Sequence, residues 1–512
     1  MKRYLLLTLS IITYTCSFSQ TPDDALRTSW FIPNGSARFV ATGGVMGSLG
    51  GDITAANVNP AGLGLFKTNE FVFTPNFNLN RNTFGYRGTD SMVKRNAFAY
   101  GTTGWVFGIP HGKGSKWSSS ALSISVNQLA SYNNRVSYKG FNNHSSFSEQ
   151  YLEELTRDGA NTHAAEWNYI NGASLGYWTY LIDTSKNAAG EIVGYQTRVP
   201  IGTGVNQQKD ETTRGGFHEI AIGVASNMDD RLYVGGSITI PLVFFSRDLT
   251  YRESDPSGIT TNDFNYFEYK QKFNSFGIGL GAKLGFIYKP KEYWRFGFAL
   301  HTPQIITYKD KLRAWMITDT ESFKGTIAES SDNLNSNIPV QGEYNLLTPW
   351  KAIASASYVF REVSDTRRQR AFISADIEYV NYRGARFFVP TDEEDIQLKD
   401  YYKVVNTTIK DYYYKGNFNF RVGGELKLHT WMLRLGGAYY GSPYAEKQLK
   451  ADRVQATGGL GYRNKGYFID LSYAHTFMKD VNFPYMLNDK ANTFATQTGS
   501  RGNIALTVGF KF

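Results

Sequence analysis

A strict alternation of apolar and polar residues runs through most of this chain and restricts its fold more than any other feature. Between residues 276 and 286, the even positions carry Phe, Ile, Leu, Ala, Leu and Phe, whereas the odd positions carry glycines and Lys283. Between residues 418 and 428, Arg421 and Glu425 likewise alternate with apolar neighbours. A period of two indicates β-strands with one apolar and one polar face. We therefore expect an all-β protein.

A soluble β-sandwich would show the same alternation. The lengths of the strands and of their connections must therefore distinguish a sandwich from a membrane barrel. Most alternating segments are about ten to twenty residues long, whereas ordinary strands have about five or six. Every second connection is short, as between 227 and 232, and the others are long. This rhythm is typical of outer-membrane barrels, which have short periplasmic turns and longer outer loops. We predict a fourteen-stranded antiparallel transmembrane β-barrel with strands at 71–80, 96–110, 118–138, 217–227, 232–249, 264–289, 293–310, 341–360, 370–387, 416–429, 431–442, 453–463, 466–478 and 502–512.

Residues 1–19 have the features of a secretory signal peptide. Two basic residues precede the apolar run 4–14, which is too short to span a bilayer as a helix. Cleavage after Ser19 would remove Cys16, the one cysteine of the chain, so we expect no disulfide framework. The formal net charge is +9, but lysine and arginine are rarely clustered, so no nucleic-acid partner is expected.

The segment between Gly35 and Leu65 contains eight glycines, where an average chain has about two in thirty residues. Glycine allows positive φ angles and close approach of the backbone to another surface. At the end of this segment Asn59 can cap a helical turn, Pro60 suits its first position and Gly64 can end it. The pattern predicts a backbone threaded through a confined space, with one helical turn before the first strand.

The sequence from Gly51 to Gly62, Gly-Asp-Ile-Thr-Ala-Ala-Asn-Val-Asn-Pro-Ala-Gly, resembles the hatch signature of the FadL/TodX family of outer-membrane transporters. Members of that family plug a fourteen-stranded barrel with their own N-terminal segment and move long-chain fatty acids or other hydrophobic molecules. Many members have two adjacent acids where this chain has Gly51 and Asp52. The resemblance implies a hatch at 20–70, a barrel at 71–512, and gating residues Gly43, Gly44, Gly51, Asp52, Asn59, Pro60, Ala61 and Gly62.

The longest connection, 139–216, is expected to be an outer loop with helical insertions. Residues 147–155 show helical spacing of apolar side chains, and several aromatic residues follow. The resemblance implies that this loop forms a groove that first captures a hydrophobic ligand; alternatively, the same residues build a small core of the loop itself. The candidate groove residues are Phe147, Tyr151, Leu152, Leu155, Trp167, Ile170 and Trp178.

Polar positions facing the predicted lumen carry charges of both signs, which favours ion pairs across the lumen, although one of the bases could instead meet a ligand carboxylate. These positions are Lys283, Arg295, Asp376, Glu378, Arg421, Glu425, Lys427, Arg434 and Asp470. Five tyrosines beside a strand end are interpreted as part of the outer aromatic girdle: Tyr401, Tyr402, Tyr412, Tyr413 and Tyr414.

The sequence predicts no enzyme. A Gly-x-Ser-x-Gly motif at 172–176 lies in the long loop of an all-β pattern, whereas the hydrolase elbow needs a parallel α/β sheet. No catalytic residue, metal ligand or cofactor is predicted.

We expect outer-membrane transport of hydrophobic small molecules similar to long-chain fatty acids. The expected surroundings are outer-membrane lipid and lipopolysaccharide, and the final strand, ending in Phe512, resembles the signal read by the barrel-insertion machinery. A monomer is expected. Two other functions remain open, a FadL-like partner of a protein-secretion system and a haem receptor.

Overall fold

Fourteen antiparallel wall strands close into a single barrel, which confirms the predicted fold class. The structure is a computed structural model that describes residues 21–112, 114–360, 370–390, 396–446, 449 and 451–512; the signal peptide predicted at 1–19 lies outside these ranges. The barrel closes between its first and last strands, where Phe71 lies opposite Phe510 and Phe77 opposite Ile504.

The wall strands are numbered 1 to 14 in chain order. Six of them consist of two pieces: strand 1 (Glu70–Phe73, Pro75–Tyr86), strand 2 (Thr89–Tyr100, Thr103–Pro110), strand 3 (Trp117–Ser131, Asn134–Asn142), strand 7 (Trp294–His301, Ile305–Asp319), strand 8 (Val340–Leu347, Lys351–Phe360) and strand 9 (Ala371–Asn381, Arg386–Phe388). The others are strands 4 (Val205–Met228), 5 (Leu232–Ser254), 6 (Tyr266–Lys291), 10 (Gly416–Leu428), 11 (Trp431–Tyr440), 12 (Arg453–Asn464), 13 (Tyr467–Asn482) and 14 (Ala495–Lys511).

Short helices occur in the N-terminal segment and in the outer loops. Before wall strand 1 lie α1 (Pro22–Leu26), α2 (Ala37–Ala41), α3 (Ala55–Val58) and a 3₁₀ helix (Pro60–Leu65). The loop between wall strands 3 and 4 holds α4 (Glu149–Arg157), α5 (Thr162–Trp167), α6 (Ala173–Trp178) and a hairpin (Ile182–Lys186, Ile192–Thr197). Later loops hold a short strand (Thr326–Ser330), α7 (Ser331–Leu334), a 3₁₀ turn (Tyr382–Gly384), α8 (Ile396–Thr407) and a π-helical turn (Thr408–Tyr413). Among the described residues, no helix combines the length and apolarity needed to cross a membrane.

The two faces of the wall follow the predicted alternation. On wall strand 6, Leu280 points outward with 60% of its surface exposed, whereas Lys283 points into the lumen and is 5% exposed. Large apolar side chains likewise cover the outside of the other strands, as Ile238, Ile377 and Leu435 illustrate. The outer surface is therefore the apolar belt of a transmembrane barrel.

Several strands extend further outward than the alternation predicts. The residues 81–95 were expected to form a long connection, but they form a tight hairpin turned by Arg87 and Gly88, both with positive φ. The expected loop 139–216 is shorter than predicted, running from 143 to 204, because residues 205–216 continue wall strand 4 and pair with strand 5. On these outer strand ends the outward positions are largely polar, as Arg81, Gln208 and Arg214 show, so their sequence lacks an alternating apolar outward face.

The girdle interpretation is wrong for two of the tyrosines. Tyr402 and Tyr414 are 3% and 2% exposed and turn toward the lumen, because the segment 396–413 folds into helical turns that pack on the barrel. The Tyr414 hydroxyl donates to the carbonyl oxygen of Pro22 at 2.7 Å, which places α1 near the outer mouth.

Candidate functional site

The N-terminal segment 21–69 runs through the lumen from the outer mouth to the periplasmic end. Its apolar residues, among them Phe39, Ile53 and Leu63, are buried and share one core with wall residues such as Ala299 and Ile353. This buried segment is called the hatch below, after the element that the sequence resembles.

Wall glycines make the room that the hatch backbone occupies. A Cβ added at Gly235 would lie 2.6 Å from the carbonyl carbon of Pro60, closer than real Cβ contacts allow. Added Cβ atoms at Gly423 and Gly297 would collide with the carbonyl oxygens of Thr42 and Gly47. The wall and the hatch therefore fit each other at the level of the backbone, which only glycine permits.

Asn59 anchors the end of the hatch. Its Oδ1 accepts a hydrogen bond from the amide of Ala61 at 3.1 Å, which caps the 3₁₀ helix that begins at Pro60. Its Nδ2 reaches the carbonyl oxygens of Gly47 (2.5 Å), Phe286 (3.2 Å) and Phe298 (3.4 Å). One side chain thus joins two parts of the hatch to wall strands 6 and 7, a role that its capping position alone does not reveal.

Asp52 organises the middle of the hatch. It is buried, and its two carboxylate oxygens accept from the Ser36 hydroxyl at 2.6 Å and from the Thr54 amide at 2.9 Å. The Ser36 amide in turn donates to the Thr54 hydroxyl oxygen at 3.0 Å. A single acid therefore closes this turn with partners inside the hatch.

The predicted glycines occupy the sharp bends of the hatch. Gly43, Gly44 and Gly51 have φ of 69°, 79° and 66°, a region that other residues rarely adopt. Gly62 has no such angle, but an added Cβ would lie 2.8 Å from the Cα of Gly50. These positions thus require glycine for two different reasons, conformation and close packing.

The lumen charges form ion pairs, as the sequence favours, and several of them also hold the hatch. Arg434 lies 2.6 Å from both Glu425 and Asp470, and Arg421 lies 3.3 Å from Glu378. Asp376 is different, since its carboxylate accepts from two hatch amides, Met46 at 3.0 Å and Gly47 at 3.1 Å.

Two charged residues that sequence reasoning missed complete this network. Arg38 of the hatch lies 3.3 Å from Glu425 of the wall. Glu219 of wall strand 4 pairs with Lys283 and accepts from Asn57 of the hatch at 2.9 Å. Glu219 occupies an inward-facing position of an alternating strand. The alternation of the sequence could therefore have identified it as a lumen residue.

The hydrogen-bond ladder of the wall is interrupted between the outer halves of strands 2 and 3, which lie close together without pairing; this interruption is called the gap below. The periplasmic halves of the two strands pair, as Trp105 with Ile124, but no ladder joins the outer halves Thr89–Tyr100 and Asn134–Asn142. Wall strand 3 breaks at Tyr132 and Asn133, and its outer half packs inside strand 1, where the rings of Tyr86 and Tyr138 are 4.9 Å apart.

Hatch residue Asn34 bridges the edges of this gap. Its Nδ2 donates to the carbonyl oxygens of Tyr100 on strand 2 and Gln128 on strand 3, each at 3.0 Å. Its Oδ1 accepts from Asn76 of strand 1 at 2.8 Å, and its carbonyl oxygen accepts from Asn127 at 2.8 Å. Sequence reasoning missed Asn34, because nothing in the adjacent Pro33 and Gly35 marks it.

Two cavities lie on either side of the hatch segment Phe31–Asn34, and Phe31, Pro33 and Asn34 line both. The first, called the inner cavity here, has an apolar side formed by Leu129, Phe217, Ala282 and Ile353. The second, called the gap cavity, adjoins the wall opening and is lined by residues that include Ala99, Gln128, Ser131 and Tyr132.

Lys351 lines the inner cavity, where the two carboxylates of the lining, Glu219 and Glu378, pair with Lys283 and Arg421 instead. The Lys351 ammonium lies 4.5 Å from the centre of the Phe31 ring, an ordinary distance for a cation–π contact. Within the described part of the chain it has no hydrogen bond and no carboxylate within ion-pair distance. The inner cavity therefore offers an apolar wall and, in Lys351, a positive charge that makes no direct ion pair among the described residues.

A third cavity opens at the outer surface beside α4, and only some of the predicted groove residues line it. Phe147 and Tyr151 line it together with Leu249, Tyr269 and polar side chains. Glu154, on the same helix, is partly buried, and this burial raises the pKa of its carboxyl group to about 7.

The remaining predicted groove residues lie elsewhere in the loop. Leu155 is fully buried below the helix, and Leu152 packs against the same core. Trp167 and Trp178 form an exposed pair with ring centres 5.5 Å apart, and Ile170 is half-buried. The structure thus brings Phe147 and Tyr151 to a cavity and places the others in the loop core or on its surface.

Comparisons with known proteins point to one kind of barrel. No protein-family model and no curated protein matches the sequence. Among solved structures, a Pseudomonas aeruginosa FadL homologue has a TM-score of 0.56 at 13% identity, covering 94% of this chain and 99% of its own. The Pseudomonas putida toluene transporter TodX has a TM-score of 0.51 at 13% identity, with coverages of 94% and 99%. The chain therefore has the fold of the FadL/TodX barrels, a fourteen-stranded wall closed around its own N-terminal hatch.

Proposed function

We propose that this protein lies in the outer membrane and carries hydrophobic small molecules, of the long-chain fatty acid type, through the barrel. The observation that carries the proposal is the pair of cavities separated by Phe31–Asn34, one of which adjoins a gap in the wall. A ligand in the inner cavity needs only a displacement of this short segment to reach the gap.

The chemistry of the inner cavity supports an amphipathic ligand with a carboxylate. Leu129, Phe217 and Ile353 provide apolar surface for an acyl chain, and Lys351 provides a cation for the headgroup. A charge-assisted hydrogen bond of this kind contributes about 1.5–3 kcal/mol. The solved TodX structure is described as a toluene transporter, so an aromatic hydrocarbon is the main competing ligand class.

The route follows from the positions of the three cavities. The outer cavity beside Phe147 and Tyr151 receives the ligand, and the inner cavity holds it against Phe31. Movement of the segment around Asn34 then releases Tyr100 and Gln128 and opens the gap between wall strands 2 and 3. The ligand would leave sideways into the bilayer, and diffusion down a gradient suffices to drive it.

The test compares oleate with oleyl alcohol, which shares the chain but has no carboxylate. Purified protein should bind oleate, and Lys351→Met should weaken oleate binding about tenfold or more while changing alcohol binding little. Lys427→Met is the matched control, because Lys427 faces the lumen beside Glu425. Equal loss of both ligands would contradict the headgroup role. Wild-type protein that binds neither oleate nor toluene would favour a secretion-partner function instead.

A further inference from the structure

A group of cations stands on the outward face of wall strands 6 and 7, at the outer boundary of the apolar belt. On strand 6 the outward residues change from Ile278 and Phe276 to Lys272 within a few positions. On strand 7 they change from Ile305 to Lys309 in the same way. The group comprises Lys270, Lys272, Lys309, Lys311 and Arg313.

The strand register brings three of these cations together. Lys272 lies directly opposite Arg313, and Lys311 is its diagonal neighbour, two residues before Arg313. Directly opposed Cβ atoms are about 4.5–5.5 Å apart, and diagonal neighbours about 7–8 Å. Like charges in opposed positions destabilise a sheet, so this arrangement is unfavourable unless an anion lies between them.

Carboxylates of this chain neutralise only part of the group. Lys270 pairs with Glu268 at 2.7 Å, Lys309 with Glu343 at 3.2 Å, and Arg313 with Asp332 at 3.2 Å. Lys272 and Lys311 are exposed, and among the residues that the structure describes neither has an ion-pair partner. Two ammonium groups thus point outward beside the Arg313 guanidinium, and the nearest carboxylates are engaged by other bases, Asp332 by Arg313 and Asp248, opposite Lys272 on strand 5, by Arg214.

We propose that Lys272, Lys311 and Arg313 bind a phosphate group of an outer-leaflet phosphoglycolipid, an inference that rests on the proposed outer-membrane location. A phosphate presents several oxygens and suits a triangle of cations, including the planar donor fork of an arginine. The apolar belt begins directly below, at Phe276 and Ile278, where the acyl chains of the same molecule would pack. A soluble anion would gain nothing from that apolar surface, so the position favours a lipid.

The experiment uses native mass spectrometry of the purified full-length protein in detergent, titrated with diphosphoryl lipid A. Lys272→Gln/Lys311→Gln should lower the affinity at least tenfold. The control Lys116→Gln/Lys465→Gln removes the same charge at the opposite, periplasmic rim and should bind as wild type does. Dephosphorylated lipid A should not distinguish the variants, and millimolar inorganic phosphate should not displace the lipid.

Wild-type affinity in Lys272→Gln/Lys311→Gln, or equal affinity of the wild type for both forms of lipid A, would overturn the site. Displacement by inorganic phosphate would show a free-anion site instead and would also overturn it. Oleate binding in the same samples separates the two proposals, because the cation cluster and the inner cavity lie on opposite faces of the wall. Wild-type protein that binds oleate but not diphosphoryl lipid A rejects only the glycolipid site; wild-type protein that binds lipid A but not oleate rejects only the proposed ligand class.

Discussion

Asn34 of the hatch donates to the main-chain carbonyl oxygen of Gln128 at 3.0 Å, next to the point where wall strand 3 breaks. The second hydrogen of the same amide reaches Tyr100 on wall strand 2, also at 3.0 Å. One hatch side chain therefore satisfies two carbonyl groups that a continuous ladder between the strands would otherwise have paired.

Replacing Asn34 tests whether the hatch holds the gap closed. Asn34→Ala leaves the carbonyl groups of Tyr100 and Gln128 without this donor, at a local cost of about 1–3 kcal/mol. We expect faster amide hydrogen exchange around residues 97–100 and 127–130, with a normally assembled barrel. Asn78→Ala is the control, since Asn78 is also buried beside the gap cavity but its side chain makes no hydrogen bond within the described ranges. Unchanged exchange in Asn34→Ala would rule out a latching role.

Two adjacent glycines test the fit between wall and hatch. Gly235 faces the lumen, where an added Cβ meets the carbonyl carbon of Pro60 at 2.6 Å. Gly236 faces outward, where an added Cβ meets the Leu284 side chain at 3.3 Å and the Lys283 carbonyl oxygen at an ordinary 3.6 Å. Gly235→Ala should displace the 3₁₀ helix and cost roughly 1–3 kcal/mol. The measurement is protease sensitivity of the hatch in folded, heat-modifiable barrels. Gly236→Ala should behave as wild type, and equal sensitivity of the two variants would argue against backbone contact here.

Asn59 has an acceptor role and a donor role that substitution can separate. Asn59→Asp retains an oxygen for the Ala61 amide but removes the donor and places a charge against three carbonyl groups. It should therefore loosen the hatch more than Asn59→Ala, for which loss of the cap alone costs about 1 kcal/mol. Hydrogen exchange of residues 47–65 reports the difference, and uptake of a labelled long-chain fatty acid reports gating. If exchange in both variants matches wild type, Asn59 does not anchor the hatch.

Gly62 tests gating by close packing alone. Gly62→Val would bring a side chain against Gly50, 2.8 Å from its Cα, without removing any hydrogen-bonding group. We expect normal barrel abundance and heat-modifiability, because the wall has its own hydrogen-bond ladder, together with altered fatty acid uptake. Normal uptake in this variant and in Asn59→Ala would refute the gating role of the turn.

The outer loop should be sensitive to pH through Glu154. Burial raises the pKa of this carboxyl group from 4.5 to about 7. The folded loop therefore favours the protonated form, and its stability is highest below pH 4.5 and declines as the pH rises through 7. Proteolysis of the loop 143–204 should accelerate between pH 5.5 and 8, by about tenfold or less because the group is partly exposed. Glu154→Gln should remove this dependence, whereas Glu153→Gln, one position away, should retain it.

The alternation of residues along the chain is enough to define the wall of this barrel. Successive residues of a wall strand face lipid and lumen in turn. The outward direction of Leu280 and the inward direction of Lys283 could therefore be assigned from the alternation alone. The glycines of the hatch could also be predicted from the sequence, because a positive φ at Gly43 or Gly51 is a local requirement of the backbone. Both features depend on near neighbours in the chain.

The position of the gap in the wall and the contacts that hold it closed depend on how distant strands meet in the folded barrel. The break in strand 3 contains neither glycine nor proline; instead, the carbonyl oxygen of Asn133 accepts from Asn80 of strand 1 at 2.8 Å. Asn34 likewise acquires its role from Asn76, Tyr100 and Gln128, which lie on three different strands. Such partners are distant in sequence and meet only when the barrel closes. No local pattern therefore distinguishes an asparagine that bridges strands from one that merely lines the lumen.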